Sequence, residues 1–279
     1  MTLGHEGLTP VFSGGTSLLK GHELIRRFSE DIDFKLGLSP TFLALTRSQR
    51  KARLSAFKAA LCDAWEAAGF AIAEVIARDS NGFIQIRLEY PSQVGAHHAL
   101  RPHILAELSA KPPRLPPLVR PLASFVHQYR KADPEIPSIG CVDPVETAAD
   151  KLSAFAWRAL ERDRNQAQDD PAIVRHLYDL AALETVASAA PDFPRILHET
   201  LMADSGRGAA AALPPAKRLA AMLTLLDRDA LYPDEYARFV EGMAFAGEQE
   251  IPTFAAARAA VARLCALAED GPGLTGRPG

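Results

Sequence analysis

The spacing of apolar residues changes character along the chain. In the first half, short β-rich runs alternate with helix; in the second half, helix follows helix. Thr9 to Phe12 reads as a short strand leading into Gly14-Gly15, and Thr16 to Arg26 can form a helix whose first turn offers unpaired N–H groups. Across Phe28 to Lys35, Ile32 and Phe34 fall on one face of a strand, with Asp31, Asp33 and Lys35 on the other. From Pro40 to Ala68 the spacing of Leu43, Leu54, Phe57, Leu61 and Trp65 predicts one amphipathic helix closed by Gly69. Phe70 to Arg78 and Phe83 to Tyr90 are predicted strands joined by Asp79-Ser80-Asn81-Gly82, a hairpin signal, and His103 to Ser109 is one more strand.

Ala110 to Pro121 is rich in proline, which cannot continue a sheet ladder, and reads as the connection between two domains. Beyond it, Asp143-Pro144-Val145-Glu146 combines a capping residue, proline at the first helical position and Glu three residues after the cap, so a helix should run through Lys151 to about Glu161. Further helices are expected at Ile173 to Ala189, Phe193 to Met202, Pro215 to Asp227, Pro233 to Ala246 and Thr253 to Ala268. The expected organisation is therefore a first domain over 1–121, a helical domain over 122–269 and a frayed Gly- and Pro-rich tail over 270–279.

Composition narrows the class without choosing a function. The 279 residues are 48% hydrophobic and 23% charged, which fits an ordered globular protein with a sizeable core. A net charge of -3 does not by itself demand a nucleic-acid partner. Cys62, Cys141 and Cys265 show no metal-ligand spacing and read as reduced, buried thiols. No apolar run approaches the length of a membrane span, and the N-terminus has no signal pattern, so a cytoplasmic location without membrane attachment is expected.

The chemistry concentrates in Val11 to Phe34. Nucleotidyl transfer needs donors that hold a triphosphate, a divalent metal that bridges its oxygens and carboxylates that hold the metal. Gly14 and Gly15 let the backbone approach phosphate closely, the helix after them presents N–H groups, and Thr16 and Ser17 add hydroxyls. Asp31 and Asp33 emerge on one strand face about 7 Å apart at their Cα atoms, and oxygen ligands of this kind suit Mg²⁺ or Mn²⁺. A third carboxylate is normally required; Glu107 is the first choice and Glu89 the alternative. Taken singly, a Gly-Gly pair is most often an ordinary turn and an Asp-x-Asp pair a solvated strand edge; the order strand, glycine turn, helix, acidic strand favours a site.

The run Phe12-Ser13-Gly14-Gly15-Thr16-Ser17-Leu18-Leu19-Lys20, with Arg27-Phe28-Ser29-Glu30-Asp31-Ile32-Asp33-Phe34, resembles the signature of the AbiEii/AbiGii toxins, nucleotidyltransferase-like proteins of the DNA polymerase β type. The resemblance implies an α/β fold of the α+β kind, with a polymerase-β-like domain built on a mixed sheet and a helical domain after it. It further implies a toxin of a type IV toxin–antitoxin or abortive-infection system that uses a nucleoside triphosphate and Mg²⁺ and has a cognate antitoxin resembling AbiEi. Some relatives extend the acceptor end of tRNA. The family's second-half signature matches Lys151, Arg158 and Arg175-His176-Leu177-Tyr178-Asp179-Leu180, with His176 where the family usually has Asp. On that match Lys20, Lys151 and Arg158 are nucleotide contacts, and Asp179 orients Lys151; the plain alternative for Lys151 and Asp179 is an ion pair between helices. Relatives also usually carry a helix before the glycine motif, which Met1 to Pro10 leave little room for.

Other features weigh less. His97, His98 and His103 lack a ligand pattern and read as loop histidines. Arg47, Arg50, Lys51, Arg53 and Lys58 form either a solvated helix face or a contact for an RNA backbone. Arg114, Arg120, Arg130 and Lys131 could extend such a surface, but no aromatic interleaving marks them for base stacking. The expected reaction is attack of an acceptor hydroxyl on the α-phosphate, with substrate in a cleft between the two domains, Asp31, Asp33 and Glu107 holding metal, and RNA, with the tRNA 3′ end as first candidate, as acceptor. The rival readings are transfer to a small molecule or a protein, and a nucleotide-binding interaction protein without turnover.

Overall fold

A computed structural model describes residues 7–90, 103–167 and 169–268. Contacts divide the chain into two compact units: one takes the chain up to Glu23 and Phe28–Asp143, the other Leu24–Arg27 and the chain from Pro144 onward.

The first unit is a mixed seven-stranded sheet with helices. Its elements are β1 (Leu8–Ser13), α1 (Gly14–Lys20), β2 (Asp31–Leu38), α2 (Pro40–Leu43), α3 (Arg47–Ala67), β3 (Ala71–Arg78), β4 (Phe83–Glu89), β5 (His103–Ser109), β6 (Leu118–Leu122), α4 (Phe125–Arg130) and β7 (Ile136–Cys141). The strand order is β3-β4-β5-β2-β1-β7-β6. β2 runs parallel to β5 and β1 parallel to β7, while the remaining neighbours are antiparallel.

Alternation along the strands decides which face is which. Leu36 of β2, Ile84, Ile86 and Leu88 of β4 and Leu108 of β5 join Leu54, Phe57 and Leu61 of α3 in one apolar cluster, with Phe34, Trp65 and Ile104 packed against it. The residues between them, Asp31, Asp33, Gln85, Arg87 and Glu107, therefore lie on the opposite face. Removing so many aliphatic side chains from water is worth about 1.5–3 kcal/mol each, which is why register here is strongly specified. None of the three cysteines is bridged to another.

The structure corrects several expectations. The helix after the glycines stops at Lys20 and not at Arg26: Gly21 caps it, Glu23 takes a left-handed φ of 55°, and Arg27 is drawn into a bridge with Ala244. The expected helix from Pro40 to Ala68 is two helices, because Ser39 caps the first and Thr46 with Gln49 forms a capping box that starts the second. Gly69 does close α3, with a φ of 90°. The turn Asp79-Ser80-Asn81 is built from three consecutive left-handed residues, which Asp and Asn tolerate better than most. The proline-rich stretch does enter the sheet. β6 includes Pro121, tolerated because it sits at the sheet edge where the register with β7 shifts between Arg120 and Leu122. The helix α4 and the strand β7 had no clear signal in the apolar pattern.

The second unit is helical: α5 (Pro144–Glu161), a 3₁₀ turn at Pro171–Val174, α6 (Arg175–Ser188), α7 (Phe193–Ala203), α8 (Pro215–Arg228), α9 (Leu231–Met243) and α10 (Phe254–Leu267). α5 begins where the Asp-Pro-Val-Glu signal placed it, and Thr253 caps α10 with its hydroxyl. Leu152, Phe155 and Ala156 of α5 are fully buried, as are Leu177, Leu180 and Leu183 of α6 and Phe193, Ile196 and Leu197 of α7. Arg162 and Arg164, just past α5, share the Glu235 carboxylate of α9, and Arg162 also grips Asp169 at 2.6 and 2.8 Å. No helix among the described residues is long and apolar enough to cross a membrane.

Candidate functional site

Two constellations of polar groups stand out, one in each unit. In the first, β1 pairs with β2 so that Ser13 lies opposite Asp33. Gly14 follows with a φ of 72°, and a Cβ built there would meet Asp33 Oδ2 at 1.8 Å. Only glycine permits that approach, so the Asp33 carboxylate lies directly against the bend that opens α1. The Thr16 hydroxyl donates to the Asp31 carbonyl, which ties the first turn of α1 to the start of β2.

Asp33 is also opposite Glu107 across the parallel pair β2–β5, and Glu107 opposite Gln85 across β4–β5. Directly paired residues share a face, so Ser13, Asp33, Glu107 and Gln85 form one row across the sheet, with Asp31 two residues along the strand. Gln85 Nε2 donates to Glu107 Oε1 at 2.9 Å. Glu89 pairs with His103, two rows further, about 13 Å along the strand from Gln85. The sheet register thus brings Glu107, and not Glu89, beside Asp33.

The other phosphate candidates divide. Gly15 lies in the first turn of α1 and is buried. Ser17 is buried, with its hydroxyl beside the Cys141 thiol. Lys20 ends α1 with its ammonium 3.0 Å above the ring centroid of Phe125 and, among the described residues, without a hydrogen-bond partner. Burial pulls its pKa below the usual lysine value, against the opposing pull of Glu135 and Glu23.

No group of three or more His, Cys, Asp or Glu side chains among the described residues is close enough to form a ready ligand set for a metal. Magnesium asks for less than that: it keeps several waters and usually takes one or two carboxylates together with substrate phosphates. Asp31 and Asp33, two hard oxygen donors on one face beside a glycine bend, fit that demand.

The second constellation lies at the centre of the helical unit. Asp179 of α6 is fully buried and accepts two bonds from Arg27, Nε to Oδ1 at 2.7 Å and Nη2 to Oδ2 at 2.6 Å, while Lys151 Nζ of α5 lies 2.6 Å from Oδ2. Burial alone would raise the Asp179 pKa, but the two cations hold it down at about 2. Burial lowers that of Lys151, with Asp179 opposing and Arg27 adding to the fall. Arg27 is the member of this group that the sequence motifs did not single out. Its signal was its place in the matched run immediately before Phe28, with no indication of a partner 152 residues away.

His176 lies in the same interior with neither ring nitrogen hydrogen-bonded among the described residues, and burial followed by the field of Lys151, Arg175 and Arg158 lowers its pKa well below 6.5. Its uncharged ring packs 6.2 Å from that of Phe155. Arg158, one heptad after Lys151, is exposed and stacks on the Trp157 ring at 5.7 Å; Arg175 pairs with Asp170 at 2.8 Å. The basic residues Arg47, Arg50, Lys51 and Arg53 of α3 are exposed, and Lys58 reaches Asn81. His97 and His98 lie outside the described residues; His103 pairs within the sheet.

These geometries can be set beside known proteins. Among curated proteins none matches the chain. Among solved structures it is similar to the nucleotidyltransferase toxin MenT4 from Mycobacterium tuberculosis H37Rv, at 20% identity over 95% of this chain and 77% of that one, with a TM-score of 0.48. The family model of the AbiEii nucleotidyl transferase toxins of type IV toxin–antitoxin systems matches residues 4–260, nearly the whole chain. With that match the chain belongs to the AbiEii nucleotidyltransferase toxin family, whose toxins are paired with cognate antitoxins.

Proposed function

We propose that this protein uses Mg²⁺ or Mn²⁺ to move a nucleotide from a nucleoside triphosphate to a hydroxyl of an RNA acceptor, the tRNA 3′ end being the first candidate, in the cytoplasm and under the control of a cognate antitoxin. The observation that carries this reading is the placement of the Asp33 carboxylate against the Gly14 bend, with Asp31 on the same strand face. It joins a backbone able to approach phosphate to the carboxylates that a phosphate-bound cation requires.

In this reading the bend at Gly14 and Gly15 seats the triphosphate, and Thr16 holds Asp31 in place through its carbonyl. Asp31 and Asp33 would hold the metal, with Glu107, next to Asp33 in the sheet, as third carboxylate. A divalent cation held there would supply positive charge to the reacting phosphate. The acceptor oxygen forms a bond to the α-phosphorus as the bond between that phosphorus and the bridging oxygen breaks. Pyrophosphate leaves with the electron pair, and Glu107 takes the hydroxyl proton. Within the helical unit taken by itself, the exposed Arg158 is the candidate phosphate contact, while the buried Lys151 is held by Asp179.

The test is incubation of the protein with labelled nucleoside triphosphates, Mg²⁺ and, separately, total tRNA, cell protein or small-molecule hydroxyl acceptors. Label should follow RNA and disappear in Asp33→Ala. Label on protein or small molecules alone overturns the acceptor; transfer at the parent rate by Asp33→Ala overturns the mechanism.

A further inference from the structure

We infer that the β6–α4–β7 hairpin is a docking platform for a single-stranded nucleic-acid end, with Tyr129 and Phe125 as stacking surfaces and Arg120, Arg130 and Lys131 as phosphate contacts. This deepens the proposed function and rests on its reading that the acceptor is a nucleic acid. The first observation is aromatic. Tyr129 is 90% exposed, and Phe125 and Phe28 are 43% and 41% exposed. Phe125 and Tyr129 are four apart on α4 and share a face. Single unpaired bases stack on such rings without regard to sequence, at about 1–3 kcal/mol per base.

The second observation is charge. Residues 110–141 hold five Lys or Arg against two Asp or Glu, in a chain whose net charge is -3. Arg120, Arg130 and Lys131 are exposed and make no ion pair among the described residues. One of the two acids is turned to local duty: Glu135 accepts from the Ser124 amide at 2.9 Å, beside the N-terminus of α4. The cationic side of the hairpin thus faces solvent next to its aromatic side, a pairing that suits a phosphate backbone carrying bases and is wasted on an uncharged apolar partner.

The third observation is continuity with the candidate site. Phe125 packs edge-on against Phe28 at 6.1 Å, three residues before Asp31, and lies under the Lys20 ammonium at the end of the helix that Gly14 opens. The hairpin is clamped there. A Cβ on Gly21 would meet Cys141 Sγ at 2.9 Å and Leu122 Cδ2 at 3.4 Å, and His22 Nε2 donates to the Val142 carbonyl at 3.0 Å. A strand stacked on α4 therefore lies beside the elements that carry the glycine bend and the aspartates.

The experiment uses the full chain and labelled twelve-nucleotide single strands of RNA and of DNA, a blunt RNA duplex and an acidic peptide, with binding read by anisotropy. The parent should bind the single strands, and Tyr129→Ala and the pair Arg130→Ala, Lys131→Ala should each weaken them at least about fivefold, in keeping with the loss of one stacked base or its phosphates. The RNA and DNA arms say which strand the platform prefers. Tyr129 is too exposed for its removal to threaten the fold, and binding of a fluorescent nucleoside triphosphate should be unchanged in the variants. No binding of single strands, unchanged binding in Tyr129→Ala, or preference for duplex or acidic peptide overturns the inference. Loss of labelled transfer in Asp33→Ala is read separately, so a failed acceptor platform and a failed transferase are distinguishable.

Discussion

Arg27 donates to Asp179 from Nε to Oδ1 and from Nη2 to Oδ2, and Lys151 Nζ shares that Oδ2, so one buried carboxylate answers two buried cations. The consequence is an asymmetry. Removing either cation leaves a balanced pair, whereas removing the carboxylate leaves two positive charges in an apolar interior. Asp179→Ala should cost about 3–5 kcal/mol in urea unfolding, and Lys151→Met less than half of that. Equal losses from the two variants would show that the carboxylate does not hold both cations.

The same interior should make stability depend on acid. The Asp179 carboxyl is held at about 2 against an ordinary 3.8, so the folded state releases that proton more readily than the unfolded chain. Its contribution is complete above about pH 4 and is lost as pH falls toward 2. His176, lowered well below 6.5, binds its proton more readily when unfolded, so stability also declines as pH drops below 6.5. His176→Phe should flatten the arm between about pH 5 and 6.5 and leave the lower arm in place. Thermal melts from about pH 2 to about pH 7 check both.

A methyl group separates two glycines of opposite kind. Gly14→Ala would press a Cβ into the Asp33 carboxylate at a φ of 72°, so it should displace Asp33, abolish transfer and cost more than about 2 kcal/mol. Gly69→Ala has a φ of 90° but nothing within 4 Å, so only the backbone term of roughly 1–2 kcal/mol should appear and transfer should survive. Transfer by Gly14→Ala at the parent rate would detach the bend from the chemistry.

Glu107 offers a test of charge without a test of shape. Glu107→Gln keeps an oxygen for the Gln85 amide but removes the negative charge, so folding should be preserved while the rate of labelled transfer falls at least about a hundredfold. Glu89→Gln, two rows away, should change the rate little.

Most of the first unit was legible because its signals are local. The alternation of Asp31 and Asp33 with Ile32 and Phe34 declares two faces, Gly69 ends a helix, and four turn residues join β3 to β4. The proline-rich chain before β7 was opaque for the converse reason. β6 is a short edge strand with exposed side chains, so no apolar period marks it, and Pro121 survives only because the ladder is irregular where it falls. The exposed ring of Tyr129 beside Arg120, Arg130 and Lys131 was missed with it, since α4 is six residues long and places Tyr129 by tertiary position.

What the sequence by itself determined was the set of polar groups proposed for this chemistry and the faces they occupy, because strand alternation and the freedom of glycine are properties of neighbours in the chain. Tertiary structure alone decided their partners. It set Asp33 against Gly14 and beside Glu107, turned Ser17 inward toward Cys141, and sent Arg27 to Asp179. Register and ion pairing between residues far apart in the chain depend on which surfaces fold together, and no local periodicity encodes that.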